Sequence, residues 1–247
     1  MPEQRGVALV TGGTGGVGLA VAELLAEQGR PVFICARDAD RVDTVVDTLR
    51  GRGLEVAGAR ADVRDADDVR SVVRAANERY GAVQVLVNNA GRGGGGVTAE
   101  LPDELWDDVI ATNLTSVFRV TREVLNQGGM LASGWGRVIS IASTGGRQGV
   151  TLAAPYSASK HGVIGFTKAL GLELATGGVT VNAVCPGYAQ HRGAAEEDVL
   201  TRFRAKVPLG RYSTPQEVAG MVGYLATDSA ASITAQALNV RGGPGNY

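Results

Sequence analysis

Val7-Ala-Leu-Val10 carries no polar residue on either of the two faces that a strand presents, and a strand tolerates that only where packed layers cover both sides of its sheet. The run opens through Thr11-Gly-Gly-Thr-Gly-Gly-Val-Gly18 directly into a helical pattern that ends at Gly29, a unit of strand, tight turn and helix. Comparable apolar runs recur at 31–35, 54–59, 83–87, 136–143, 179–184 and 236–240. Helix-spaced residues lie between them, such as Val69, Val72, Val73 and Ala76 before the helix-stopping Gly81. Strands alternating with helices in this way predict an α/β fold, a doubly wound seven-stranded parallel sheet with helices on both faces.

A chain of 247 residues admits one large domain or two small ones, and the absence of a linker, a repeat or a long charge block favours one. A hydrophobic share of 44% with 36 glycines suits a sizeable core with many tight turns, and a net charge of -1 offers no basic patch to nucleic acid. No apolar run approaches the roughly 18 residues of a membrane span, so a cytoplasmic protein is expected. Cys35 and Cys185 each end a strand-like run and read as small buried hydrophobes, and His161 and His191 alone add no metal constellation. The sequence Thr214-Pro-Gln-Glu217 reads as a capping box that opens the last helix.

Tyr156 and Lys160 stand four residues apart on a predicted helix, hence on one face. A phenol with a reference pKa of about 10 becomes a better acid beside a fixed positive charge. Taken alone, such a pair reads as an ordinary solvated helix face, and it is the neighbouring motifs that favour the catalytic reading. Ser143 ends the fifth apolar run, which places its hydroxyl at the carboxyl edge of the sheet, where open parallel sheets bind ligands. Gly13, Gly15 and Gly18 satisfy a Gly-x-Gly-x-x-Gly fingerprint, and no Lys-Ser/Thr follows to make a triphosphate loop. Glycines there let backbone amides meet a pyrophosphate at a helix N-terminus. After the second run, Ala36 and Arg37 stand where NAD sites usually hold a carboxylate, which suits the 2'-phosphate of NADPH. Asp38 is the counter-signal, and it also reads as the N-cap of the helix that follows.

With Asn88-Asn-Ala-Gly91 after the fourth run, the chain resembles the short-chain dehydrogenase/reductase family over essentially its whole length. That family carries a Thr-Gly-x-x-x-Gly-x-Gly turn, an Asn-Asn-Ala-Gly turn and a Ser, Tyr, Lys set in this order and spacing on a Rossmann sheet. The resemblance implies that Gly12, Thr14, Gly15, Gly16, Val17 and Gly18 form the cofactor turn, with Asp62 and Val63 at the adenine. It places Asn89, Ala90 and Gly91 along the nicotinamide ribose, with Tyr156 and Lys160, and Pro186 and Gly187 over the carboxamide. Ser143, Tyr156 and Lys160 would be catalytic, and Asn113 would hold a water in a proton relay to Lys160. Residues 1–92 would form the cofactor half, 93–247 the catalytic and substrate half, and about 188–206 a lid. His161 is expected to be structural, and the loop Arg92-Gly-Gly-Gly-Gly96 is either a substrate-side lip or a permissive linker.

A narrower likeness, to ketoreductases of bacterial aromatic polyketide synthases, rests on Thr98-Ala-Glu-Leu-Pro-Asp-Glu-Leu-Trp106, Ser143-Thr-Gly-Gly-Arg-Gln-Gly149, the stretch 154–175 and the terminal Asn246-Tyr247. It implies NADPH-dependent reduction of one carbonyl of a poly-β-keto chain held on an acyl carrier protein, by a homotetramer. Two features depart from it. About a dozen residues look absent after Gly187, a long loss for a loop. Arg241 stands where a small or apolar residue is expected, with no account from the sequence. The alternatives are a 3-oxoacyl carrier-protein reductase of fatty-acid synthesis and a non-catalytic NADP-binding regulator. Arg37, Arg60 and Arg64 read either as a positive rim for an acidic carrier protein or as the plain abundance of Arg among 24 basic residues.

Overall fold

Strand β1 (Val7–Thr11) is buried at every position. Its alternate residues feed two different cores, Ala8 and Val10 one and Val7 and Leu9 the other, as a period of two requires. The computed structural model describes residues 6–127, 129–187 and 207–243, and the expected lid at 188–206 and the terminal Asn246-Tyr247 lie outside them. Helix α1 (Gly16–Glu27) follows the Gly-rich turn, then β2 (Val32–Ala36), α2 (Ala39–Gly51), β3 (Val56–Arg60), α3 (Ala66–Tyr80) and β4 (Val83–Asn88). The second half runs through α4 (Asp103–Ile110), α5 (Ser116–Asn126), the short α6 (Gly129–Ser133) and β5 (Gly136–Ile141). It ends with α7 (Ala154–Leu174), β6 (Val179–Pro186), α8 (Pro215–Leu225) and β7 (Ala237–Val240).

The seven strands form one sheet in the order β3-β2-β1-β4-β5-β6-β7, all neighbours parallel. The order reverses direction between β1 and β4, and the crevice outside their carboxyl ends is where such sheets take ligands. Helices α1, α2 and α8 close one face through Leu25, Val46 and Val222. Helices α3, α5 and α7 close the other through Val73, Val120 and Leu170. Each such aliphatic side chain contributes about 1.5 to 3 kcal/mol when fully buried, which is what holds the two helical layers on the sheet. Cys35 and Cys185 are free and buried, as their place in apolar runs suggests.

Local signals account for most boundaries. Asp38 and Asp65 cap α2 and α3 by accepting from the amides of Arg41, and of Asp67 and Asp68. Thr214 and Glu217 form both halves of the capping box at α8. Two expectations shift. The third strand begins at Val56 rather than 54, because the Leu54 amide donates to Leu49 O and closes the end of α2. The fifth strand stops at Ile141, and Ser143 instead caps the short helical turn Thr144–Gly146 by accepting from Gly145 N at 3.0 Å.

Candidate active site

At the switch point the backbone of the Gly-rich turn comes very close to its surroundings. Gly12 has a φ of +65°, and a Cβ on Gly18 would stand 2.2 Å from Gly12 O. No side chain caps the N-terminus of α1, so the first amides of that helix are left for an anion. Asn89 secures the turn: its Nδ2 donates to Thr11 O and Gly12 O at 3.0 Å each, while Thr11 Oγ1 accepts from the amides of Asn89 and Ala90.

A cleft of about 450 Å³ runs from this turn to the end of β5. Gly12, Gly15, Gly16 and Val17 line one end of it, Asn89, Ala90 and Gly91 its floor, and Ser143, Tyr156, Lys160, Pro186 and Gly187 the other end. A second cleft of about 490 Å³ is lined by Thr14, Arg37, Asp62 and Val63. The two share Gly12, Gly15, Ala90, Gly91 and Arg92, so they form one continuous groove along the carboxyl edge of the sheet. Two candidates lie behind its wall: Gly18 packs under the turn, and Asn113 is wholly buried behind Gly91. Thr112 also lines the second cleft, and its buried Oγ1 has no hydrogen-bond partner among the described residues.

In the second cleft Asp38 is an N-cap, its Oδ1 accepting from Arg41 N at 3.1 Å. Asp62 is less free than its expected role supposes. Arg64 donates to both of its oxygens, at 3.0 Å and 2.6 Å, and holds its carboxyl below the usual range. Arg64 also pairs with Asp108, which in turn pairs with Arg92. The expected positive rim is therefore largely neutralised, since Arg60 pairs with Asp68 as well. Asp108 is 44 residues from Arg64 and 16 from Arg92, and nothing in the local pattern announces those two pairs.

At the catalytic end the helix that follows β4 is interrupted by a π turn, Ala111–Thr115, which carries Asn113. Asn113 Oδ1 accepts from Arg92 N at 2.8 Å, and Nδ2 donates to Arg92 O and to Ser159 Oγ. Both amide protons are thus committed, one to the loop at Arg92 and one to Ser159 on α7, and only acceptor lone pairs remain for a water. Lys160 is 5% exposed, and its Nζ donates to Ile141 O at 2.8 Å and lies 5.9 Å from the centre of the Tyr156 ring. Burial lowers the Lys160 pKa to about 8. Burial also raises the Tyr156 pKa, and Ser143 opposes that rise through a hydrogen bond. The sequence led us to expect Lys160 to make Tyr156 more acidic, but here burial dominates both groups. His161 Nδ1 contacts Ser157 O at 2.8 Å within its own helix, a structural role. Arg241 is buried beside the Pro186-Gly187 turn, and a Cβ on Gly187 would lie 2.9 Å from the Arg241 Cβ.

A doubly wound sheet whose Gly-rich turn opens onto such a groove defines the class of dinucleotide-binding α/β proteins. The model of the family described as short chain dehydrogenase matches residues 6–198, and the chain belongs to that family. It is 62% identical over 254 residues to a protein of Streptomyces virginiae assigned as a ketoacyl reductase of the monensin polyketide synthase, covering 98% of this chain and 97% of that one. That aligned length exceeds the 247 residues of this chain, so the relative carries residues that this chain lacks. A crystal structure of a variant of the actinorhodin polyketide ketoreductase with NADPH matches with a TM-score of 0.95 at 56% identity, over 98% of each chain. The 3-oxoacyl-acyl-carrier-protein reductase of Vibrio cholerae is 40% identical over 239 residues, with 96% of each chain covered. Among the described residues no helix is long and apolar enough to cross a membrane, and no group of side chains could hold a metal ion.

Proposed function

We propose that this protein is an NADPH-dependent ketoreductase that reduces one carbonyl of an aromatic-polyketide, poly-β-keto intermediate to the alcohol. The observation that carries the reading is the convergence of Ser143, Tyr156 and Lys160 at one end of a groove whose other end presents Arg37. When bound, NADPH supplies the hydride. Negative charge then develops on the carbonyl oxygen, which Tyr156 protonates from its hydroxyl while Ser143 donates a second hydrogen bond. Lys160 stabilises the phenolate that Tyr156 becomes, and a proton returns to it from solvent by way of Lys160 and a water held by acceptor atoms of Asn113.

In this reading the amides from Gly12 to Gly18, with Thr14 and Val17, hold the pyrophosphate. Asp62 and Val63 border the adenine, Asp62 through the lone pairs that Arg64 leaves. Asn89, Ala90 and Gly91 follow the nicotinamide ribose, and Pro186 and Gly187 face the carboxamide. Residues 1–92 form mainly the cofactor half and 93–247 the catalytic half. Presentation of the substrate on an acyl carrier protein is supported by the likeness to the 3-oxoacyl-acyl-carrier-protein reductase, whereas Arg64 and Arg92, both paired with Asp108, add little attraction. Exposed Trp106, Phe118, Leu172 and Tyr224 support burial of further surface in a homotetramer, which would work in the cytoplasm.

The Lys160 pKa of about 8 gives a pH dependence. The ammonium is the form that stabilises phenolate and holds the ribose, and it is lost as pH rises through that value. NADPH affinity is expected to weaken above pH of about 8 in the wild type and to be weaker but flat with pH in Lys160→Met. Equal slopes in fluorescence titrations of the two proteins would remove Lys160 as the titrating group.

The second reading, a reductase of linear 3-oxoacyl chains, is favoured by the 3-oxoacyl-acyl-carrier-protein reductases among its relatives, which are 37% to 40% identical. The non-catalytic reading finds no support, since Tyr156 and Lys160 are both in place. Comparing kcat/KM for a bicyclic ketone with that for a linear β-ketoester separates the first two. The polyketide reading expects the bicyclic ketone to be preferred by about ten-fold or more, and a preference for the linear ester would transfer the protein to fatty-acid chemistry.

A further inference from the structure

Arg41 is the third residue of α2, and its amide is fixed by the Asp38 N-cap. Its side chain turns back from the helix toward the Gly-rich turn, where Nη2 donates to Thr14 O at 3.4 Å. A Cβ on Gly15 would stand 3.4 Å from the same nitrogen, so the guanidinium lies directly over the turn. It lines the cleft that Arg37, Thr14 and Gly15 also line.

The charges around that cleft decide what Arg41 does there. Besides Arg37 and Arg41, the lining carries Asp38, Asp62, Arg64 and Arg92. Arg64 is met by Asp62 and Asp108, and Arg92 by Asp108, so these cations have partners already. Among the described residues no ion pair involves Arg37 or Arg41, in contrast to Arg60 and Arg64 on the neighbouring strand end. Arg37 set against Asp38 alone leaves this corner neutral, which would suit the ribose hydroxyls of NADH nearly as well as a phosphate. Arg41 makes the corner net positive. A phosphate monoester carries about -1.5 to -2 charge at neutral pH, and a planar guanidinium fork is the group that best receives it.

We infer that Arg41 is a second cation on the 2'-phosphate of the cofactor and, with Arg37, sets the preference for NADPH over NADH. The inference rests on the cofactor reading above and adds a specificity residue to it.

The test measures dissociation constants of NADPH and NADH by cofactor fluorescence, and of 2',5'-ADP by calorimetry, for the wild type, Arg37→Ala, Arg41→Ala and Arg41→Lys. Arg41→Ala is expected to raise the NADPH and 2',5'-ADP constants about ten-fold and to leave NADH within about two-fold. Arg41→Lys should recover part of the loss, since it keeps the charge without the fork. The Arg41→Ala effect should also shrink as salt is raised, because the group is exposed. If Arg41→Ala shifts NADPH and NADH alike, or shifts neither, while the wild type still prefers NADPH, Arg41 is only packing on the turn and the inference falls with the cofactor reading intact. A wild type that binds NADH more tightly than NADPH would overturn both.

Discussion

Tyr156→Phe is expected to abolish ketone reduction, lowering kcat by 100-fold or more, with the NADPH dissociation constant changed by no more than about two-fold. The substitution removes one oxygen and leaves the ring, which is partly buried against Lys160 and beside Gly145, so the helix and the cleft should stand. What disappears, among the described residues, is the phenolic proton at the Ser143 end of the groove, together with the interaction by which Ser143 lowers the Tyr156 pKa. A loss confined to kcat identifies an interaction made in the transition state, whereas a parallel loss of cofactor affinity would point to a structural role. A Phe variant that keeps more than about a tenth of the wild-type rate would remove Tyr156 as the acid, since general acids contribute 100-fold or more.

Gly18→Ala is expected to weaken NADPH binding on the order of 100-fold. Two effects oppose each other here. Alanine in a helix interior is favoured over glycine by about 1 kcal/mol. The added carbon, however, would stand 2.2 Å from Gly12 O and 2.3 Å from Asn89 Nδ2. Neither neighbour can yield cheaply, because one is backbone and the other is held by Thr11 O and Gly12 O. Helix α1 must therefore withdraw from the turn, and its amides lose their aim. Two misplaced hydrogen bonds to an ionised phosphate cost about 1.5 to 3 kcal/mol each, and the lower end of that range already gives on the order of 100-fold. A melting curve checks that the protein remains folded, with overpacking alone costing about 1 to 3 kcal/mol. An NADPH constant within about three-fold of the wild type, in a folded variant, would show that the turn does not hold the cofactor.

Much of the fold is legible because its signals are local. Fully apolar runs such as Val7-Ala-Leu-Val10, a Gly-rich turn and capping residues at Asp38, Asp65 and Thr214 specify strand, crossover and helix start within a few residues each. The gathering of Ser143, Tyr156 and Lys160 follows from the sheet, since strand ends and the helices that follow them meet on one edge. Other features depend on distance or on hydrogen-bond register. The π turn at Ala111–Thr115 changes register without changing residue types, so the stretch reads simply as helix. The linkage of Arg64 and Arg92 through Asp108 joins three separate loops and helices, and it turns an apparent positive rim into a nearly neutral one. Arg41 and Thr112 carry no motif, and only the cleft shows that both face it. The acidity of Tyr156 also depends on surroundings that spacing does not carry: pairing with Lys160 on a helix face suggests charge stabilisation, whereas burial raises the Tyr156 pKa and lowers that of Lys160.

The most direct measurement uses NADPH carrying deuterium at the transferable position, incubated with the wild-type protein and a bicyclic ketone, with the product examined by mass spectrometry. Direct transfer within the groove requires one deuterium on the carbinol carbon for each cofactor oxidised, and an unlabelled hydroxyl proton taken from solvent through Tyr156. The same reaction with labelled NADH should run at a kcat/KM lower by about ten-fold or more, as expected for a site built around a 2'-phosphate. No deuterium in the alcohol, no cofactor oxidation with any ketone, or faster reaction with NADH would contradict the account.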